Sequence, residues 1–507
     1  MKKLLYILLH RSVFVALALL AQIAALAVMV GYFSNTDIFY WCCIALSVAA
    51  AVAIVGSRME PGYKIAWLLL ILPFPIFGGV FYLLVGGGYV PKRTQKRMKG
   101  MLDKSFATLK EDFKADDLLP LGGDAAGQAS YLERWAACPA YTNTETEYFS
   151  LGDKAFPRML EELEKAQTYI FLEYFIIQPG VFWDSILAIL ERKAAQGVEV
   201  RVLYDDFGSM YTLPRDYNET LKKKGIQCRV FNRLTPVMTL RQNNRDHRKM
   251  LIIDGKVGFT GGINLADEYI NVKERFGHWK DSAILLEGDA VWSMTVMFLT
   301  MWDNIADWEE DFERFRPPAA PVRPWTGYVQ PYTDTPLDRE AVGQAVYLNM
   351  IAKAKNYIYI TTPYLIIDVA TNTALCNAAK SGVDVRIITP HIPDKRYVFE
   401  VTRAHYPPLL EAGVQIYEYT PGFIHAKNFI VDDRFATVGT VNLDYRSLFL
   451  HFEDGVWLCE APCIRDIRKD FEQTLAVSEP CSLRQFRHLN ILLQLYRSIL
   501  RVFAPLM

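Results

Sequence analysis

The sequence predicts an α/β protein whose globular part is one α/β sandwich built twice, both copies forming one shared active site, preceded by an apolar N-terminal region. Three observations carry this. The pattern H-x-K-x4-D occurs at His247, Lys249 and Asp254 and again at His425, Lys427 and Asp432. After the same gap each copy closes as G-[GT]-x-N, with Gly261, Gly262 and Asn264 in the first and Gly439, Thr440 and Asn442 in the second. Average residue usage produces one H-x-K-x4-D in about one chain in thirty of this length, so two with matching tails are not coincidence. Apolar segments also recur in the same order around both motifs, and three long apolar runs precede residue 90.

The 507 residues carry 55 Lys and Arg against 56 Asp and Glu, so no global basic field argues for nucleic acid. Hydrophobic residues make up 51% of the chain, high for a soluble protein. The eight cysteines are scattered, none in C-x-x-C, and read as buried reduced thiols.

Taken in order, residues 1–90 read as a membrane region of two or three spans. Runs 12–33 and 38–56 approach or exceed the length that crosses a hydrocarbon core. The third, 65–87, carries Pro73, Pro75 and Gly78-Gly79, which suits a kinked span or a re-entrant hairpin. Two further runs after the first argue against a cleaved signal peptide. Basic groups flank the runs at Lys2, Lys3 and Arg11, at Arg58 and Lys64, and from Lys92 to Lys99. The positive-inside rule wants all three in the cytoplasm, which two spans plus a hairpin satisfy, and so puts the catalytic part on the cytoplasmic side.

Residues 91–145 read as a polar connector. The first α/β domain is expected over 146–314 and the second over 337–482, joined by a Pro-rich linker, 315–336. AQTYIFLEYFII (166–177) matches AKNYIYITTPYLII (354–367), GVEVRVL (197–203) matches GVDVRII (382–388), and GIQCRVF (225–231) matches GVQIYEY (413–419). Each half reads strand, helix, strand, helix, strand, which implies parallel strands covered by helices. Residues 483–507 mix Leu, Ile and Phe with Arg484, Arg487, Arg497 and Arg501, an amphipathic helix packed on its own domain or lying on lipid.

On a strand, residues two apart share a face, so His247 projects with Lys249 and His425 with Lys427. Each pair sets a nucleophile or proton carrier beside a positive charge. Asp254 and Asp432 have the wrong parity and read as holding turn to strand. The small-residue tails bring Gly262, Asn264, Thr440 and Asn442 towards the site, where asparagine amides can donate to an oxyanion. Two histidines, two lysines and two asparagines then converge on one tetrahedral anion, a phosphoryl site whose lysines supply the charge that Mg²⁺ supplies elsewhere. No metal or other cofactor is expected, since the histidine spacing is not H-x-x-x-H and a lysine between ligands repels a cation. One histidine must be neutral to attack phosphorus and the other protonated to release an alkoxide. An acid orienting each imidazole is expected, with Asp281 and Glu453 as candidates. His10, His278, His391, His405, His451 and His488 read as packing or surface residues.

The duplicated motif resembles that of the phospholipase D superfamily. More narrowly, NRDHRKMLIIDGKVGFTGGINLADEY, GFIHAKNFIVDDRFATVGTVNLDYRSLFLHFE and the upstream IAWLLLILPFPIFGGVFYLLVGGGYVPKR are similar to bacterial cardiolipin synthases, a likeness over most of 60–507. His451 stands where that family more often has Asn. The resemblance implies two phospholipase D-like domains in a multi-pass protein of the bacterial plasma membrane. It implies phosphatidyl transfer between two phosphatidylglycerol molecules, giving cardiolipin and glycerol. His247 would form a phosphohistidine, while His425 protonates the departing glycerol and then deprotonates the second lipid's hydroxyl. From the residues alone the two histidines are symmetric. The nearest alternatives are water or another alcohol as acceptor. The membrane runs and neutral charge speak against nucleic acid as substrate, and two intact H-K-D sets against a decayed scaffold.

Overall fold

The computed structural model describes residues 37–506 apart from 58, 74–81, 83–91, 236–239, 307–309, 319, 320, 323, 325, 326, 339, 488 and 489, with scattered positions between 17 and 32. Most of the run 12–33, and Pro75, Gly78 and Gly79 of the third run, lie outside the described residues.

Short runs of β-branched and aromatic residues form the strands. The first sheet contains Thr144–Phe149 (β1), Tyr169–Tyr174 (β2), Glu199–Asp205 (β3), Gln227–Phe231 (β4), Lys249–Ile253 (β5), Val257–Gly261 (β6) and Ala283–Gly288 (β7). Their order is β1-β7-β6-β5-β2-β3-β4. The second contains Tyr328–Asp334 (β8), Tyr357–Thr361 (β9), Asp384–Pro390 (β10), Gln415–Tyr419 (β11), Asn428–Val431 (β12), Phe435–Gly439 (β13) and His451–Cys459 (β14). They run β8-β14-β13-β12-β9-β10-β11, the same order, with Ser478–Pro480 (β15) added at the edge.

The sheets are mixed, and each contains the parallel three-stranded core expected from the strand–helix alternation. β2, β3 and β4 pair in parallel, but β5 is antiparallel to both β2 and β6. The turn at Asp254-Gly255 is too short for a crossover, so each motif strand folds back as a hairpin. Two boundaries also shift. β1 begins inside the expected connector, and β8 forms inside the expected Pro-rich linker. Pro331 fits there because β8 is an edge strand, where a missing N–H breaks no ladder.

The helices that bear on the site and its flanks are Asp37–Gly56 (α1), Pro61–Ile71 (α2), Lys92–Leu109 (α3), Gly123–Ala136 (α4), Val291–Ala306 (α5), Tyr445–Phe449 (α6) and Ile491–Phe503 (α7). On α1, Cys43, Ala50 and Ile54 turn inward, the last two clustering with Trp67 and Ile71 of α2. Counting only residues whose side chains are described, no helix is long and apolar enough to cross a membrane. α1 comes nearest, its described side chains running unbroken from 40 to 56. The connector is helical and docked. On α3, Ser105 shares a 2.8 Å hydrogen bond with Thr300 of α5. The side-chain amide of Gln330 donates to Ala129 of α4 and to Cys138 at 3.1 and 2.6 Å, and Asp124 pairs with Arg434. The expected C-terminal helix is two, Leu483–Arg487 and α7, whose start is capped by Asn490. No cysteine is paired, and Cys42 is exposed where burial was expected.

Asp254 and Asp432 occupy equivalent left-handed positions at φ 53° and 55°. The Asp254 carboxylate accepts the backbone N–H groups of Gln167, Thr168 and Tyr169 and the Thr168 hydroxyl, at 2.6–2.9 Å. Asp432 accepts those of Lys355, Asn356 and Tyr357 at 2.6–2.8 Å. Each aspartate therefore ties the end of a motif strand to the start of its antiparallel neighbour. It stands seven residues from its histidine, roughly 23 Å along an extended strand. Neither touches the reacting groups, so the motif's aspartates are anchors rather than catalytic residues. Asp254→Ala is expected to cost about 1–3 kcal/mol of stability through the orphaned N–H groups, measured by denaturant unfolding in detergent, with kcat of the folded fraction unchanged.

Candidate active site

His247 and His425 sit just before β5 and β12, where short parallel pairings fix the chain. Arg245-Asp246 pairs with the start of β14, and the His247 N–H donates to the Phe452 carbonyl at 2.9 Å. Gly422–Ile424 pairs with His278–Lys280, and the His425 N–H donates to the Lys280 carbonyl at 2.7 Å. In each case the strand holding one half's histidine belongs to the other half.

The carboxylates are crossed in the same way. Glu453 lies 3.0 and 2.9 Å from His247 Nδ1, and Asp281 lies 2.6 Å from His425 Nδ1. The registers Gly261↔Ala283 and Gly439↔Gly455 make Asp281 and Glu453 structural equivalents, each two residues before its partner. With Nδ1–H directed at a carboxylate, each Nε2 keeps its lone pair for substrate. Both imidazoles and both lysines are buried. Lys249 Nζ donates to the His247 carbonyl at 2.6 Å, and Lys427 Nζ to the His425 carbonyl, with Lys427 Nζ also 2.9 Å from His425 Nδ1.

The G-[GT]-x-N tails act differently from expectation. A Cβ on Gly262 would lie 2.0 Å from the Asp281 carboxylate, so glycine is there to let Asp281 reach His425. At the equivalent position the Thr440 hydroxyl donates to Glu453. Both residues stand behind the orienting acids instead of cradling phosphate. Asn264 is committed, its amide oxygen accepting the Ile176 N–H at 3.0 Å and its amide donating to the Tyr269 hydroxyl at 2.8 Å. Asn442 keeps a buried amide oxygen without a partner among the described residues.

Three contributors escaped sequence reasoning. His451 is no bystander, for its ring lies 5.6 Å from that of His247 and its Nδ1 lies 3.7 Å from Glu453. Both its ring nitrogens are buried without partners among the described residues. Its equivalent, four residues before the register partner, is Trp279, whose ring lies 5.7 Å from that of His425. Ser447 donates to Glu453 at 2.6 Å, and Asp454 receives the Lys249 N–H and the Thr260 hydroxyl across the interface. The likeness of HWKD at 278–281 to HFED at 451–454 is one residue out of this register and gave no usable signal.

Burial decides the charges. It lowers His247 to about 3 and His425 to about 4, helped by the neighbouring lysines and outweighing the facing carboxylates. Burial works to raise Asp281 and Glu453, but the facing imidazoles prevail, and for Asp281 the Lys427 charge as well, holding both below the usual carboxylate range. Burial also brings Lys249 down to about 8 and Lys427 to about 7, and each lysine feels the charges of the opposite half. The site thus holds neutral imidazoles, ionised carboxylates and lysines that an entering anion would recharge. His247, His451 and Glu453 offer ligand atoms within 4.8 Å of one another, but Glu453 is already taken by the His247 ring and two hydroxyls.

Two predictions follow from this arrangement. Glu453→Gln, Asp281→Asn and Gly262→Ala, which drives Asp281 away, should each lower kcat about 10²- to 10⁴-fold without unfolding the protein. An anion raises the depressed lysine values, so binding takes up protons above neutrality. Affinity for vanadate, read by competition against substrate, should fall as pH rises past about 7, by up to about tenfold per pH unit for each proton taken up.

A family model described as "Cardiolipin synthase, PLD-like domain" matches residues 159–284 and 347–475, and one described as "Phospholipase_D-nuclease N-terminal" matches 45–87. An uncharacterized protein of Streptococcus mutans is 45% identical over 91% of this chain and 100% of its own. A cardiolipin synthase of Geobacillus thermodenitrificans is 33% identical over 96% of this chain and 99% of its own. A second, from Geobacillus sp. WCH70, is 34% identical over 92% of each. The crystal structure of a phosphatidylserine synthase from Haemophilus influenzae superimposes with a TM-score of 0.58 at 16% identity, covering 76% of this chain and 98% of that one, a likeness of fold. Two matched domains and full-length relatives place the chain in the cardiolipin synthase family, phosphatidyltransferases with duplicated phospholipase D-like domains.

Proposed function

We propose that the protein moves a phosphatidyl group from one phosphatidylglycerol to the terminal hydroxyl of another, giving cardiolipin and glycerol. The observation that carries the chemistry is the pair of crossed imidazole–carboxylate contacts beside two buried lysines. The His247 Nε2 lone pair attacks phosphorus, and the P–O bond to glycerol breaks as His425 delivers a proton to the leaving oxygen. Substrate phosphate raises His425 from its depressed value, preparing it as the acid. The second lipid's hydroxyl then gives its proton to His425 and attacks phosphorus, breaking the P–N bond. Lys249 and Lys427 neutralise the charge spread over the phosphoryl oxygens. The assignment of His247 as nucleophile follows the family resemblance.

Both substrates reside in a bilayer, and α1 supports a membrane anchor. From Asp37 to Gly56 its twenty residues include a single charge, and at 1.5 Å per residue they measure about 30 Å, the thickness of a hydrocarbon core. Ile38, Trp41, Val48, Val52 and Val55 are exposed on it. Two such spans and a hairpin put the catalytic part on the cytoplasmic face.

Protein reconstituted in phosphatidylglycerol vesicles should yield cardiolipin and free glycerol in step, resolved by mass spectrometry. Phosphatidic acid with glycerol would mean water is the acceptor. His247→Ala and His425→Ala should each abolish turnover, and EDTA should leave the rate unchanged.

A further inference from the structure

α7, at the end of the chain, docks against α2, near its beginning. Leu500 and Ala504 join Tyr63, Val401 and Tyr445 in one apolar cluster. Buried Arg497 pairs with Glu400 at 2.7 Å. The joint is close, for a Cβ on Gly62 would meet Pro505 at 2.8 Å and the Tyr445 hydroxyl at 3.0 Å.

The opposite face of α7 is apolar and uncovered. Ile491, Leu492, Leu495, Tyr496 and Ile499 are 78, 70, 58, 44 and 49% exposed. At 100° per residue they fill one arc of about 140°, facing away from buried Arg497. Beside it α2 exposes Ile65 and Leu69, with Leu72 just beyond its end. α2 is also the helix on which α1 packs. α7 and α1, each with exposed apolar residues, are thus both packed on α2.

We propose that α7 and α2 form a lipid-contacting platform, with α7 lying in the interfacial layer of the bilayer that α1 enters. The proposal rests on the membrane reading of α1. It explains why a helix docked through a buried ion pair shows its larger apolar face outward, and why Arg501 stands at its edge, within reach of lipid phosphates. The platform also leads to the catalytic centre. Tyr63 of α2 packs on Tyr445 and Phe449 of α6 at ring distances of 5.9 and 6.5 Å. Ser447, on the same short helix, holds Glu453 against His247. Seating α7 on lipid therefore seats the neighbourhood of the His247 imidazole at the lipid surface, where the substrate phosphate lies.

The test uses the full chain in phosphatidylglycerol vesicles with Cys42→Ser as background. An environment-sensitive fluorophore is placed at Leu495→Cys, or at Val52→Cys on α1, and quenched by lipids spin-labelled at shallow or deep acyl positions. Shallow quenching at 495 with deep quenching at 52 is the expected result. Quenching at 52 alone keeps the anchor and overturns the platform. A 495 label shielded from aqueous iodide yet untouched by lipid quenchers overturns it in favour of a second copy covering α7. Loss of quenching at both sites overturns the membrane reading itself. As a functional readout, Leu495→Asp with Ile499→Asp should slow turnover of vesicle-borne phosphatidylglycerol by about tenfold or more, leaving turnover of a short-chain, monomeric phosphatidylglycerol unchanged. Equal slowing of both would overturn the platform.

Discussion

Everything in the catalytic centre depends on the exchange of carboxylates between halves. An imidazole that must attack through one nitrogen needs its other nitrogen–proton bond fixed, and a buried carboxylate does this only at hydrogen-bonding distance. Here Glu453 serves His247 and Asp281 serves His425. Neither half alone contains an oriented histidine. The contact between the sheets is consequently part of the reaction machinery, held by Asp454 against Lys249 and Thr260 and by the 2.9 Å bond from Ser282 to Asn428.

Burial gives these pairs their force and sets their cost. In water the same groups would titrate near their ordinary values. Enclosed, the imidazoles resist protonation and the lysines give up charge readily, so the site relaxes only when an anion arrives. The two halves spend their shared plan differently. Glycine at 262 admits the shorter Asp281, whereas the longer Glu453 is steadied by hydroxyls from Thr440 and Ser447. The flanks differ too, with indole beside one histidine and a third imidazole beside the other. A fold with near two-fold symmetry thereby acquires two unlike ends.

Much of this was legible in the sequence because repetition is visible in one dimension. The paired motifs, the matched strand segments and the two acids could all be read from spacing. What spacing could not carry was which acid meets which histidine, since a crossed and an uncrossed arrangement share one sequence. The strand–helix alternation announced the parallel core of each sheet, and the turn at Asp254-Gly255 announced the hairpin beside it. Thr440 and Gly262 were assigned to phosphate because small polar residues suit either a ligand or a close-packed neighbour. His451 was set aside because a lone histidine in a strand carries no mark of its surroundings.

The docking of α4 has a consequence for synthesis. Asp124 finds its ion-pair partner in Arg434, 310 residues later in the chain. At about 5–20 residues per second, roughly 15–60 s separate the emergence of the two. During that interval α4 has no second sheet to rest on, and His247 still waits for Glu453, which is made later than Arg434. The nascent chain therefore carries an unclosed, inert centre until the last strand-bearing segment is made, so chemistry waits for a finished protein.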